Sequence, residues 1–219
     1  MTQAIVTDAA RPVVSARREP VTRMSERYWG LTWPTTGHGG LTVVPVPFEA
    51  CLPFMTAHYA HLFESEPDRF FEEKMTDAKR RYLAEADCFL FQRDGKDVGL
   101  CVCDPSDWSS YYIRTYSLLP EVRHGEFSMS FLRYMFERLR AVGVKRVEAD
   151  TAPSSLAVQR ALTGLGMLIT HTVASERWGL LLHLTGFLDE DAERAFRRQF
   201  LQGSSVPQGC PRMNKPGKE

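Results

Sequence analysis

The strongest hydrophobic periodicity in the chain lies between positions 111 and 167. Phe131, Leu132, Met135, Phe136, Leu139 and Val142 recur three and four residues apart, with Arg133, Glu137, Arg138 and Arg140 on the other face. That spacing predicts a long amphipathic helix. Gly143 follows the last periodic position, where a glycine commonly ends a helix. An apolar run rich in aromatic and β-branched residues precedes the helix (YYIRTYSLLP), and a second follows it (VKRVEAD). Both read as strands. The polar loop EVRHGEFS joins the first strand to the helix, and a loop with a short helix (TAPSSLAVQRALTGLGM) follows the second.

The flanking sequence extends this alternation. Residues 41–46 (LTVVPV) read as a strand, with Pro45 arguing for a sheet edge. Residues 48–64 read as a helix with Pro53 near its first turn. Residues 68–83 read as a second helix, with Phe71, Met75, Ala78 and Tyr82 along one stripe. Residues 88–93 and 97–103 form a hairpin around Asp94-Gly95, a type I′ turn signal. A turn at 104–108 leads to a central strand at 109–119. The last two strands fall at 167–176 and 178–184, around a turn at Glu176-Arg177, and Asp189 is placed to cap a further helix to about residue 201, with Phe196 and Phe200 on one side. Strands alternating with helices imply a mixed α/β sheet covered by helices. Residues 1–26 and 202–219 show no sustained period and are expected to be disordered. The domain is therefore expected over 27–188 and the C-terminal helix over 189–201, with the rings of Tyr28, Trp29 and Trp33 docked on the domain.

Composition narrows the function. Twenty-seven basic residues balance 27 acidic ones over 219 residues. No electrostatic case exists for binding nucleic acid or a membrane surface. Five cysteines form an odd set without framework spacing, and no secretory segment is evident, which argues for a reducing, cytoplasmic setting. Cys101 and Cys103 share one strand face and read as buried thiols. His58 and His61 lie three apart, but no matching ligands complete a set, so no metal is expected. No apolar run approaches the ~20 residues of a membrane span.

The stretch Arg123-His124-Gly125-Glu126-Phe127-Ser128 sits where a strand delivers the chain to a helix N-terminus. It resembles the pyrophosphate loop of the GNAT superfamily of N-acetyltransferases, whose pattern is Arg/Gln-x-x-Gly-x-Gly/Ala. The downstream Asp150-Thr151-Ala152-Pro153-Ser154-Ser155 and Leu165-Gly166-Met167 are similar to that family's Asp-x-x-Pro-x-Asn and Leu-Gly-Phe-like turn, and the resemblance spans roughly residues 41–187. The chain departs from the pattern in several places. Glu126 and Ser128 stand where small residues are preferred, and Ser155 replaces the usual Asn. Leu162 falls where many members carry a Tyr that protonates the leaving thiolate. Arg114 falls where a Glu often acts as base.

The resemblance implies an α/β (α+β) domain with a GNAT-like mixed, mostly antiparallel central sheet flanked by helices. It implies an acyl donor, acetyl-CoA or another acyl-CoA, whose pyrophosphate is cupped by backbone N–H groups of His124, Gly125, Glu126, Phe127 and Ser128. Arg123 either adds charge there or is a solvated loop arginine, and Ser155 belongs to the same donor site. The oxyanion donor is expected at a strand bulge near Leu118 and Leu119. Tyr112 and Tyr116 are expected on one strand face, where they relay a proton or simply pack. His171 and His183 either transfer protons at the acceptor cleft or are satisfied sheet histidines. The implied activity is transfer of an acyl group to a primary amine of a small molecule or peptide in a ternary complex. The alternatives are a longer acyl chain, an acyl-carrier-protein donor, or a non-catalytic acyl-CoA-binding module. A homodimer stays open.

Overall fold

A computed structural model of the chain describes residues 22–58, 76–123, 126–175 and 178–200. Helix α1 (Met24–Trp29) leads into strands β1 (Thr36–His38) and β2 (Leu41–Val46), helix α2 (Phe48–Ala57) and helix α3 (Asp77–Ala84). Strands β3 (Asp87–Arg93), β4 (Lys96–Pro105) and β5 (Ser110–Leu118) follow, then a 3₁₀ turn (Pro120–Val122) and helix α4 (Phe127–Ala141). Strand β6 (Arg146–Thr151), helix α5 (Leu156–Gly164), strands β7 (Leu168–Ser175) and β8 (Gly179–Phe187) and helix α6 (Glu190–Phe200) complete it. The strands form one sheet in the order β1-β2-β3-β4-β5-β6-β8-β7. Every neighbouring pair in it is antiparallel except β5 and β6.

The parallel pair is joined through α4, the helix that the periodicity marks. Its stripe is buried through Phe127, Phe131, Leu132, Met135, Phe136 and Leu139. At about 1.5–3 kcal/mol per large side chain, that stripe contributes roughly 10–18 kcal/mol of gross apolar burial before conformational entropy is subtracted. Val142 caps the helix and Gly143 takes φ +87°, which ends it. Helices α1, α4 and α5 cover one sheet face over the main core. On the other face α2 packs Cys51 and Phe54 against Cys88, Leu90, Leu100 and Val102.

The structure meets some sequence expectations and changes others. The β3–β4 turn has positive φ at both central residues, Asp94 (51°) and Gly95 (74°), as a type I′ hairpin requires. Asp189 accepts the Ala192 N–H at 2.8 Å and so caps α6. The segment around residue 37 forms a short strand, β1, which stops opposite Val43. Pro45 thus lies where β2 has no outer neighbour, although β2 as a whole is not the sheet edge. Pro53 sits inside α2 rather than in its first turn. The helix expected over 68–83 is not continuous, because Thr76 is non-helical and α3 starts at Asp77. Residues 59–75, including His61, Phe71 and Met75, lie outside the described residues, as do Glu176 and Arg177. The ordered fold begins before residue 27: Ser25 is fully buried, and Arg23 donates to the Val46 carbonyl at 3.1 Å.

Candidate active site

Two irregularities in β5 shape the site. The first is a bulge. Val102 pairs with Thr115 and Cys103 with Ile113, so Arg114 is the extra residue. The bulge flips the side-chain alternation. Tyr111 and Ile113 face the main core, and beyond the bulge Tyr116 and Leu118 do too. Tyr112 is left on the opposite face, so Tyr112 and Tyr116 do not share a face as simple alternation requires. The second irregularity is a divergence. Pairing with β6 runs only from Ser110↔Arg146 to Ile113↔Ala149, and β5 continues to Leu118 without it.

At the far end of this opening, the amide of Leu119 donates to the Val98 carbonyl at 2.9 Å. It is therefore not a free oxyanion donor, and the bulge lies at Arg114 rather than near Leu118 and Leu119. In an antiparallel ladder the hydrogen-bonding direction alternates, so the Leu118 N–H and C=O point away from β4 into the opening. Arg123 folds back to meet that carbonyl with Nε at 2.8 Å, and its own amide donates to the Pro120 carbonyl at 3.3 Å. The Arg123 side chain is thereby tied to the end of β5.

Helix α4 opens at Glu126 without a side-chain cap, and the first N–H groups of a helix have no intrahelical acceptor. Phe127 is buried and anchors the turn, and Tyr116 donates its hydroxyl to Ser128 Oγ at 2.8 Å, tying the helix start to β5. Burial raises the Tyr116 pKa, so its proton stays on. Gly39 of the β1–β2 turn, at φ +48°, lies against this helix start: a Cβ there would stand 2.7 Å from Phe127 N. His124 and Gly125 lie outside the described residues. Ser155 begins α5 but makes no side-chain cap, and Leu162 is buried in the main core rather than facing the opening.

On the face opposite α4, a chain of polar groups crosses the sheet where β5 and β6 part. Tyr112 donates its hydroxyl to Asp150 Oδ2 at 2.8 Å, and His183 Nδ1 meets Asp150 Oδ1 at 2.7 Å. The His171 ring stacks on His183 with centroids 4.2 Å apart. Both partners of the His183–Asp150 pair are largely buried, at 13% and 19% side-chain exposure, a setting that strengthens a charge-assisted hydrogen bond. An ionised carboxylate only accepts, so Nδ1 carries the proton and Nε2 offers its lone pair. Burial, then the bond to Asp150, raises the Tyr112 pKa, which keeps it a donor. The structure thus brings Tyr112, His183 and His171 together around Asp150 and leaves Tyr116 with the helix start. Asp150 was legible only as the first residue of its Asp-x-x-Pro motif.

Arg114 is committed elsewhere. Its Nε and a terminal nitrogen grip the buried Asp104 carboxylate at 3.0 and 2.8 Å, with the Tyr82 hydroxyl at 2.7 Å. The guanidinium also lies 5.8 Å from the centre of the Tyr112 ring. Among the described residues no cluster of three potential metal ligands occurs.

No family model matches the chain, and no curated protein matches it in sequence. Solved structures do match. A ribosomal-protein-S5-alanine acetyltransferase from Vibrio fischeri is similar over 72% of this chain and 98% of its own, with a TM-score of 0.56 at 13% identity. A GNAT family acetyltransferase from Elizabethkingia anophelis with acetyl-CoA bound is similar over 68% and 98%, with a TM-score of 0.51 at 15% identity. A ribosomal-protein-alanine N-acetyltransferase from Brucella melitensis is similar over 66% and 98%, with a TM-score of 0.51 at 19% identity. At this identity the likeness is one of architecture, and by it the chain has the fold of the GNAT acetyltransferases.

Proposed function

We propose that the protein is an acyltransferase that moves an acetyl or other acyl group from acyl-CoA to a primary amine in a ternary complex. One observation carries the reading: the Tyr112–Asp150–His183 chain stands where β5 and β6 diverge. A fold shared with an acetyltransferase that holds acetyl-CoA supports the choice of donor. The N–H groups of Glu126, Phe127 and Ser128 would hold its phosphates, joined by His124 and Gly125, and the Leu118 N–H would meet its extended arm. Glu126 is exposed, so its carboxylate can turn to water while its amide serves the anion.

An amine enters as its ammonium form and must lose a proton before it can attack. His183 Nε2 takes that proton, and Asp150 stabilises the imidazolium that results. The amine nitrogen then bonds to the thioester carbonyl carbon, the carbon–sulfur bond breaks, and the nitrogen releases its second proton to solvent to leave a neutral amide. The departing thiolate takes the proton back from His183, which fills the place of the absent tyrosine at position 162. Tyr112 holds the second oxygen of Asp150 and so fixes the orientation of the imidazole. Most of the acceleration comes from holding amine and thioester together.

Thermal-shift measurements with acetyl-CoA test the donor half. A ligand at 100 times its Kd stabilises by about 2.7 kcal/mol, which shifts the Tm by several degrees. No shift with acetyl-CoA or with longer acyl-CoAs overturns the reading.

A further inference from the structure

The same sheet face holds an open pocket of about 510 Å³ between β6, β8 and β7 and helix α6. His183 and His171 form one end, and Phe187, Ala192, Ala195 and Phe196 line the other. The two ends are set by alternation along the strands. His183 is paired with Asp150 and Phe187 with Arg146, so the pocket follows β6 over four residues, or about 13 Å. Ala192, Ala195, Phe196 and the polar Gln199 of α6 recur at the spacing of the one stripe that a helix turns towards a sheet.

Several polar groups along the pocket already have partners. Arg146 is neutralised by Asp107 at 3.0 Å and faces Glu148 at 3.7 Å. Glu148 also accepts from Ser106 at 2.9 Å. The hydroxyls of Thr170 and Thr185 bond each other at 3.1 Å. Lys145 is an exposed cation on the lining, and the Asp191 carboxylate of α6 interacts with it electrostatically. Those partners leave the apolar end formed by Phe187, Ala192, Ala195 and Phe196, with Gln199 and Lys145 also on the lining, in the pocket that reaches the His183 ring.

We infer that this pocket takes the body of the acceptor, and that the acceptor is a small primary amine carried on an apolar alkyl or aryl chain. The inference rests on the transfer reading above, since it places the amine at His183. It disfavours polyamines, which have no aryl or alkyl body for the Phe187–Phe196 end, and small hydroxylated amines, which leave that end empty. That ring pair is already in contact, with centroids 5.1 Å apart, and α6 thereby becomes the element that selects the acceptor.

Equilibrium binding of phenethylamine, ethanolamine and spermidine to the CoA-saturated full chain tests this without requiring turnover. Phenethylamine should bind at least tenfold tighter than the other two. Ala195→Trp, which fills the slot from α6, should weaken phenethylamine at least tenfold while the affinity for CoA stays the same. Phe196→Ala should weaken it several-fold with the Tm held within a few degrees. Equal binding of the three amines, or phenethylamine binding that ignores Ala195→Trp, overturns the inference. Failure of CoA itself to bind overturns the transfer reading instead, and with it the placement of the amine.

Discussion

At the scale of single residues, the chemistry rests on how Asp150 spends its two oxygens. One receives Tyr112 and the other His183, at 2.8 and 2.7 Å. Replacing Asp150 by Asn keeps the volume but loses the charge that stabilises an imidazolium. The amide also presents N–H groups to one of two former donors. The kcat should drop on the order of 10²-fold, the usual scale of general-base assistance. Acetyl-CoA affinity should be unchanged, because Asp150 faces away from the start of α4. Full kcat in the variant would mean that the His183–Asp150 pair is merely structural.

The same scale shows what the sequence hides. The four candidate proton carriers were readable as residue types, yet their grouping was not. Tyr112 and Tyr116 part company because of one extra residue at Arg114. A bulge arises from pairing with β4, and no local pattern in the YYIRTYSLLP stretch announces it. Asp150 went unnoticed as a functional group for a similar reason. Its partners come from β5 and β8, 38 and 33 residues away in sequence. Nothing in the local sequence at Leu119 shows that its amide is bonded to Val98, a partner 21 residues earlier in the chain.

At the scale of elements, local signals were reliable. Gly143 ended α4, Asp94-Gly95 made the hairpin and Asp189 capped α6, because each acts through its own backbone preference. Elements whose existence depends on a neighbour were harder. Strand β1 is three residues long and is defined by its pairing with β2. Its turn matters for the site, since Gly39 presses on the backbone where α4 starts. Gly39→Ala should therefore displace that start. Positive φ and a contact of 2.7 Å together should cost about 2 kcal/mol or more, read from chemical denaturation. Acetyl-CoA affinity should fall in parallel, because the N–H groups of Phe127 and its neighbours move. Weaker stability with intact acetyl-CoA affinity would separate the turn from the phosphate site.

At the scale of the whole molecule, the hairpin is also held through His38. Its ring nitrogens bond Ser130 Oγ at 3.2 Å and Thr36 Oγ1 at 3.0 Å, and the ring packs on Tyr134 with centroids 4.9 Å apart. Burial lowers its pKa below 6.5. The neutral form is thus favoured in the folded state. That stabilisation is present above pH 6.5 and is lost as pH falls through the folded-state pKa. Stability measured from pH 8 down to 5 should decline, and His38→Asn should flatten that part of the curve. Equal slopes for the two proteins would assign the decline to other groups.

The three scales meet in the claim that amine and thioester react where β5 and β6 part, with His183 as the proton acceptor. Thiol release from acetyl-CoA on adding phenethylamine, compared between the natural protein and His183→Gln, addresses it most directly. The account predicts amine-dependent release in the natural protein and a fall on the order of 10²-fold or more in kcat for the variant, with acetyl-CoA binding intact. Equal release rates in the two proteins would contradict it.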